Sequence, residues 1–127
     1  MNRVIIGLGS NIEPASNIRK ARDVLAQRYR VIGESAFKVT KPVGKIKQAD
    51  FINGSVMIET ELTMPALKEE LADIETGMGR NRPHDKYRPR TIDLDIVVWN
   101  DEVIDQDFYE RDYLKEAVLE LVPELKY

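Results

Sequence analysis

Asp93 and Asp95 stand one residue apart in Arg90-Thr91-Ile92-Asp93-Leu94-Asp95-Ile96-Val97-Val98. If that segment is a strand, Ile92, Leu94, Ile96 and Val98 share one face and the two carboxylates share the other, with attachment points about 7 Å apart. Carboxylates held so close repel each other unless a cation lies between them, and their oxygens suit one or two Mg²⁺ ions. The same alternation also describes an ordinary solvated strand face, so spacing alone leaves both readings open.

The residues just before this pair carry the opposite charge. Arg80, Arg82, Lys86, Arg88 and Arg90 face only Asp85 within residues 80–90. Arginine forks match phosphate oxygens, so a nucleotide carrying its metal would engage both sets at once. A nucleic-acid patch or a solvated turn would use the same composition. Glu75, near the end of the preceding helical stretch, could reach this region, although alone it reads as a surface carboxylate. His84 reads as a bystander or a phosphate donor, and Tyr87 as a ring able to stack on a heterocycle or cap a loop. A second candidate set lies upstream. Asn53 shares strand parity with Phe51 and Ser55, and its amide can pair with a planar heterocycle while Phe51 lies against the ring. Thr40, Lys41, Pro42 and Val43 form the neighbouring wall. The alternative is that Phe51 is satellite core and Asn53 caps a bulge.

The elements that must position these groups follow from periodicity. Val4 to Leu8 reads as a strand and is followed by the turn Gly7-Leu8-Gly9-Ser10-Asn11. Pro14 and Ser16 open a helix with Ile18, Ala21, Val24, Leu25 and Tyr29 on one flank. Val31 to Val39 and Phe51 to Thr60 read as strands. Thr63 caps a second helix, Pro65 sits in its first turn, and Leu67, Leu71, Ile74 and Met78 form its apolar stripe. A fourth strand covers Thr91 to Trp99, an acidic turn-like stretch runs from Asp101 to Asp112, and a short helix spans Tyr113 to Leu121. The order strand, helix, strand, strand, helix, strand predicts an α+β ferredoxin-like sandwich, an antiparallel sheet with both helices on one face and the other face open.

Length and composition limit the chemistry further. The 127 residues predict a single domain, residues 1–127, and 43% hydrophobic against 32% charged is a globular composition. With no cysteine and one histidine, thiolate metal sites, thiol nucleophiles and multi-histidine zinc sites are excluded. A net charge of -3 argues only weakly for any partner, and no nucleic-acid partner is expected because the open face has few aromatics to stack bases and carries two aspartates. No apolar run approaches a membrane span and Met1 leads straight into strand, so a cytoplasmic protein without a membrane partner is expected.

On its motifs the sequence resembles the 6-hydroxymethyl-7,8-dihydropterin pyrophosphokinase family. The carriers are Gly7-Leu8-Gly9-Ser10-Asn11, Asp50-Phe51-Ile52-Asn53-Gly54-Ser55-Val56, Glu75-Thr76-Gly77-Met78-Gly79-Arg80-Asn81-Arg82 and Arg88-Pro89-Arg90-Thr91-Ile92-Asp93-Leu94-Asp95-Ile96. The resemblance implies a ferredoxin-like fold and transfer of a diphosphate from ATP to the hydroxymethyl group of a reduced pterin, leaving AMP. It implies that Asp93 and Asp95 ligate two Mg²⁺ ions, and that Arg80 and Arg90 hold the transferring phosphates while Arg82 and Tyr87 close over the site. It further implies that Thr40, Pro42, Val43 and Asn53 line the pterin pocket, with Phe51 and Tyr113 as its aromatic surfaces. Glu75, Ile96 and Arg111 fall on the nucleotide side. Where that family carries a basic, histidine-containing segment after the fourth strand, this chain has the shorter, acidic Val103-Ile104-Asp105-Gln106-Asp107-Phe108-Tyr109-Glu110. A non-catalytic pterin- or nucleotide-binding homologue with a regulatory role is the rival reading.

Overall fold

A computed structural model describes residues 1–44, 47–80 and 89–127. Its elements run β1 (Asn2–Ser10), α1 (Pro14–Arg28), β2 (Arg30–Glu34), β3 (Lys38–Thr40), β4 (Phe51–Thr60), α2 (Met64–Gly77), β5 (Asp93–Trp99), β6 (Glu102–Val103), α3 (Asp107–Glu110) and α4 (Asp112–Leu121). The sheet order is β2-β4-β1-β5-β6, with β3 also on β4, and every pairing is antiparallel. This is the α+β ferredoxin-like arrangement expected from element order. No helix among the described residues is long and apolar enough to cross a membrane.

One face of the sheet is covered as expected. Ile18, Ala21 and Leu25 of α1 and Leu67, Leu71 and Ile74 of α2 bury against Val4, Ile6, Leu8, Val56, Ile58, Ile92 and Leu94. The helices start where the sequence places them: Pro14 and Pro65 lie in the first turns, and the Thr63 hydroxyl accepts from the Ala66 N–H at 3.3 Å.

The other face is not left open. α4 crosses it, and Val118 and Val122 join Phe108 and Leu125 in a second core on Ile5, Val97 and Val98. The stretch expected to be turn-like contains β6 and α3, and Phe108 of α3 is fully buried. The expectation that Val98 shares a face with Ile92, Leu94 and Ile96 also fails. A bulge shifts the register between Ile5 and Ile6, where Ile6 pairs with Ile96 and Ile5 with Val98. Val97 and Val98 therefore both serve the second core, because one extra residue in a strand reverses its parity beyond that point. The single strand expected over Val31 to Val39 is two short ones, β2 and β3, aligned along one edge of β4. Between them the Ser35 N–H still reaches the Ser55 carbonyl at 2.9 Å.

Candidate active site

Register brings the two candidate sets together. Gly9 pairs with Asn53 on one side and with Asp93 on the other, while Gly7 pairs with Ser55 and Asp95. All six positions share the sheet face that α4 covers only in part. Two strand spacings, roughly 10 Å, separate the Asn53 amide strand from the aspartate strand. The rows between them carry no side chain. A Cβ on Gly9 would lie 2.5 Å from Asn53 Oδ1, and one on Gly7 would lie 3.2 Å from Val97 Cγ2 and 3.3 Å from Leu114 Cδ1. The two glycines make a flat floor, and that floor is what β1 contributes to the site.

Two clefts meet at the paired carboxylates. The first is lined by Thr40, Pro42, Val43, Phe51, Asn53 and Tyr113, together with Arg90 and Arg111. The second is lined by Glu75, Arg80 and Ile96 with Lys68 and Gln106. Asp93, Asp95 and Asp105 belong to both. Every pterin-side residue expected from sequence is thus in one cleft, and Glu75 and Ile96 of the nucleotide side are in the other. Arg90 and Arg111 stand in the first cleft, beside the shared carboxylates. Arg82 and Tyr87, with His84, Lys86 and Arg88, lie outside the described residues.

The charged groups form a connected network. Arg80 Nη1 donates to Glu75 Oε2 at 2.7 Å and to Asp93 Oδ1 at 2.8 Å, and Arg90 Nη1 donates to Asp93 Oδ2 at 2.8 Å. Glu75 is not the surface carboxylate that its isolated position suggested, being only 2% exposed. Its Oε2 also accepts from the Leu94 N–H at 2.7 Å, a strand-edge donor that no neighbouring strand reaches. Glu75 therefore ties α2 to β5 and holds Arg80 against Asp93. The Nε atoms of both arginines are buried without a hydrogen-bond partner among the described residues.

Asp95 differs from Asp93. Among the described residues its carboxylate makes no hydrogen bond or ion pair, and the residue is exposed at the mouth of the clefts even though many protein atoms surround its carboxylate. Protein atoms crowd the cleft floor around it. That desolvation, followed by repulsion from Asp93 and then Asp105, raises its pKa from 3.8 to about 7. Burial likewise raises the Tyr113 phenol.

The donor set fits Mg²⁺. No group of three or more His, Cys, Asp or Glu side chains among the described residues could enclose a metal ion. Magnesium does not need such a cage, because it binds through one or two carboxylates and completes its octahedron with water and phosphate oxygens. Asp95 has no partner among the described residues, and each Asp93 oxygen keeps a second lone pair beside its arginine bond. The guanidinium groups of Arg80 and Arg90 beside them fit a phosphate-bearing ligand.

Polar residues of the site missed in sequence include Asp105, Asp107 and Gln48 in the first cleft, and Lys68 and Gln106 in the second. Asp105 and Asp107 sit in a charge run that reads as solvated until β6 folds it back, and the Ile104 N–H bonds the Val97 carbonyl at 2.9 Å. Gln48 lies in a polar loop with no periodicity to mark it.

An antiparallel ferredoxin-like sheet with a glycine-floored cleft, an amide at one end and two carboxylates at the other, one of them bound by two arginines, defines an α+β protein whose donors suit a phosphate-bearing ligand. A sequence model of the 7,8-dihydro-6-hydroxymethylpterin-pyrophosphokinase (HPPK) family matches residues 5–123, and the chain belongs to that family. It is 31% identical over 131 residues to the 2-amino-4-hydroxy-6-hydroxymethyldihydropteridine pyrophosphokinase of Haemophilus influenzae, covering 94% of this chain and 81% of that protein. Proteins with the same name from Methylorubrum extorquens and Helicobacter pylori are 34% and 33% identical. These matches cover 97% and 84% of this chain, and 80% and 68% of those proteins.

Proposed function

We propose that the chain transfers a diphosphate group from ATP to the hydroxymethyl group of 6-hydroxymethyl-7,8-dihydropterin, giving AMP and the pterin diphosphate for folate biosynthesis. The observation that supports this reading is the sheet row Asn53–Gly9–Asp93, which sets the Asn53 amide and the Asp93 carboxylate at opposite ends of one floor. The pterin would lie between Phe51 and Tyr113 with its edge on Asn53. The phosphates of ATP would lie along Arg80 and Arg90, reaching Glu75 and Ile96 on the nucleotide side.

Attack of a hydroxyl on the middle phosphorus of ATP needs alignment, charge neutralisation and exclusion of water more than covalent help. Asp93 and Asp95 would hold Mg²⁺, two ions by family resemblance, which when bound neutralises phosphate charge and helps orient both reactants. Arg80 and Arg90, fixed by Glu75 and Asp93, present donors to the oxygens that gain charge. The Gly7–Gly9 floor lets the acceptor hydroxyl approach without a side chain intervening. No protein base is assigned. Arg82 and Tyr87 would close the site, and Arg111 would add a cation beside the phosphates.

The test is AMP formation from protein, reduced pterin, ATP and Mg²⁺. AMP appearing only when pterin is present, and falling about a hundredfold or more in Asp95→Asn, is the expected result. Pterin binding without AMP formation under any divalent cation would instead establish the binding-only rival. Asp105 and Asp107, which add negative charge to the first cleft, are the feature that favours that rival.

A further inference from the structure

The attacking hydroxyl must lose its proton, and none of the contacts described above takes it. Asp93, Asp95 and Asp105 line both clefts, whereas Asp107 lines the first alone, together with Phe51, Asn53 and Tyr113. Asp107 is half-buried, and its carboxylate makes no hydrogen bond or ion pair among the described residues. Asp105 differs, because its Oδ1 accepts the Asp107 N–H at 2.9 Å. The main chain at Asp107 is held on both sides. Its carbonyl accepts the Arg111 N–H at 2.8 Å. The next residue, Phe108, is fully buried, with the Tyr109 and Tyr127 rings edge-on to it at 5.1 and 5.2 Å. The carboxylate is therefore carried on a fixed backbone, as a precisely aimed proton acceptor must be.

Its surroundings put it beside the reacting end of the heterocycle. The Tyr113 phenol, raised chiefly by burial, is raised further by Asp107 and Asp93, so both carboxylates lie within electrostatic reach of that ring. A pterin between Phe51 and Tyr113 with one edge on Asn53 directs its opposite end, the hydroxymethyl group, toward the Asp93 side of the cleft. The other carboxylates there are engaged: Asp93 by Arg80 and Arg90, Asp105 by the Asp107 N–H, and Asp95 by the Mg²⁺ it would hold. We infer that Asp107 is the general base of the transfer, accepting the hydroxymethyl proton in the first cleft. The inference rests on the function proposed above. The proton passes from the hydroxyl to an Asp107 Oδ, and the hydroxyl oxygen forms a bond to the middle phosphorus of ATP. The bond from that phosphorus to the oxygen bridging it to the α-phosphate breaks, and its electron pair leaves with AMP. Asp107 then gives the proton to water. An aspartate accepts the substrate hydroxyl proton in the same way in protein kinases. Because Asp107 does not line the second cleft, its charge is set apart from the phosphates along Arg80.

The test is single-turnover AMP formation with saturating reduced pterin, ATP and Mg²⁺, with calorimetric titration of the pterin in parallel. It is made on wild type, Asp107→Asn, Asp107→Ala and Glu110→Gln. Asp107→Asn keeps an oxygen that accepts a hydrogen bond but cannot take the proton. Its single-turnover rate should fall about a hundredfold or more, while pterin affinity stays within about twofold of wild type. Asp107→Ala should be as slow, and added sodium formate, a carboxylate small enough to enter the vacated space, should speed it about tenfold. The same formate should leave wild type unchanged. Glu110→Gln removes an equal charge from α3 at an exposed residue that lines neither cleft, and its rate should stay within about twofold of wild type. If Asp107→Asn does not fold, Asp107→Ala with and without formate decides. An Asp107→Asn rate equal to or above that of wild type overturns the assignment. So does a loss of rate matched by an equal loss of pterin affinity, or an Asp107→Ala variant that formate does not speed. Each of these leaves the proposed function standing, whereas a wild type that forms no AMP overturns that function itself.

Discussion

At the scale of single residues, Asp95 is where the charge of the site is least balanced. Its pKa of about 7 lies above the ordinary 3.8, so between those values the folded protein holds a proton that the unfolded chain has released. Stability from this group is therefore greatest below about pH 4, declines as pH rises toward 7, and stays low above it. Asp95→Asn should raise the metal-free melting temperature by a few degrees at pH 8 and leave it unchanged at pH 4, the gain being limited by the solvent that still reaches the side chain. Equal shifts at both pH values would mean that packing, not charge, controls this position. Most of this chemistry was legible in sequence: the aspartate spacing, Arg80 and Arg90 before it and the parity of Asn53 each pointed to a group that lines a cleft. Glu75 was not legible, because nothing local shows that its carboxylate would be buried to cap the Leu94 N–H and hold Arg80.

At the scale of elements, β1 acts through what it lacks. Gly9 lies between Asn53 and Asp93, and a methyl group there would meet Asn53 Oδ1 at 2.5 Å. The amide would have to turn away, giving up the bond from its Nδ2 to the Thr40 hydroxyl. Gly9→Ala should weaken pterin binding tenfold or more while costing about 1–3 kcal/mol of stability, to be read by calorimetry and by urea unfolding. Unchanged pterin affinity would show that Asn53 does not need its present orientation. Apolar spacing located both long helices and the Phe51–Thr60 strand, since each has a buried stripe or alternation of its own. It missed the break between β2 and β3, and the register shift inside β2 between Val31 and Gly33, both of which are set by pairing with β4. It missed the β5 bulge for the same reason: Val97 and Val98 are both apolar, and only the partner strand decides which way each points.

At the scale of the whole molecule, the sheet separates two packing layers that serve different clefts. α2, in the larger core, supplies Lys68, Leu71 and Glu75 to the second cleft. α4, in the smaller core, supplies Tyr113, Leu114 and Ala117 to the first, and is further held by the Ser55 hydroxyl donating to the Ala117 carbonyl at 3.0 Å. Loosening the smaller layer should therefore disturb one ligand more than the other. Val118 is fully buried beneath α4 and lines neither cleft. Val118→Ala leaves a cavity there and should cost about 2 kcal/mol in urea unfolding. The slackened helix should then weaken pterin binding several-fold, because Tyr113 and Leu114 lie on its first turns. Binding of a non-hydrolysable ATP analogue, whose proposed contacts lie mainly on α2 and β5, should change by less than about twofold, a change equivalent to less than about 0.5 kcal/mol. If both affinities fell together, the two layers would have to act as one cooperative wall, and the division of ligands between the clefts would be wrong. If only the nucleotide analogue weakened, α4 would belong to the phosphate side, and the assignment of Tyr113 to the heterocycle would fail with it.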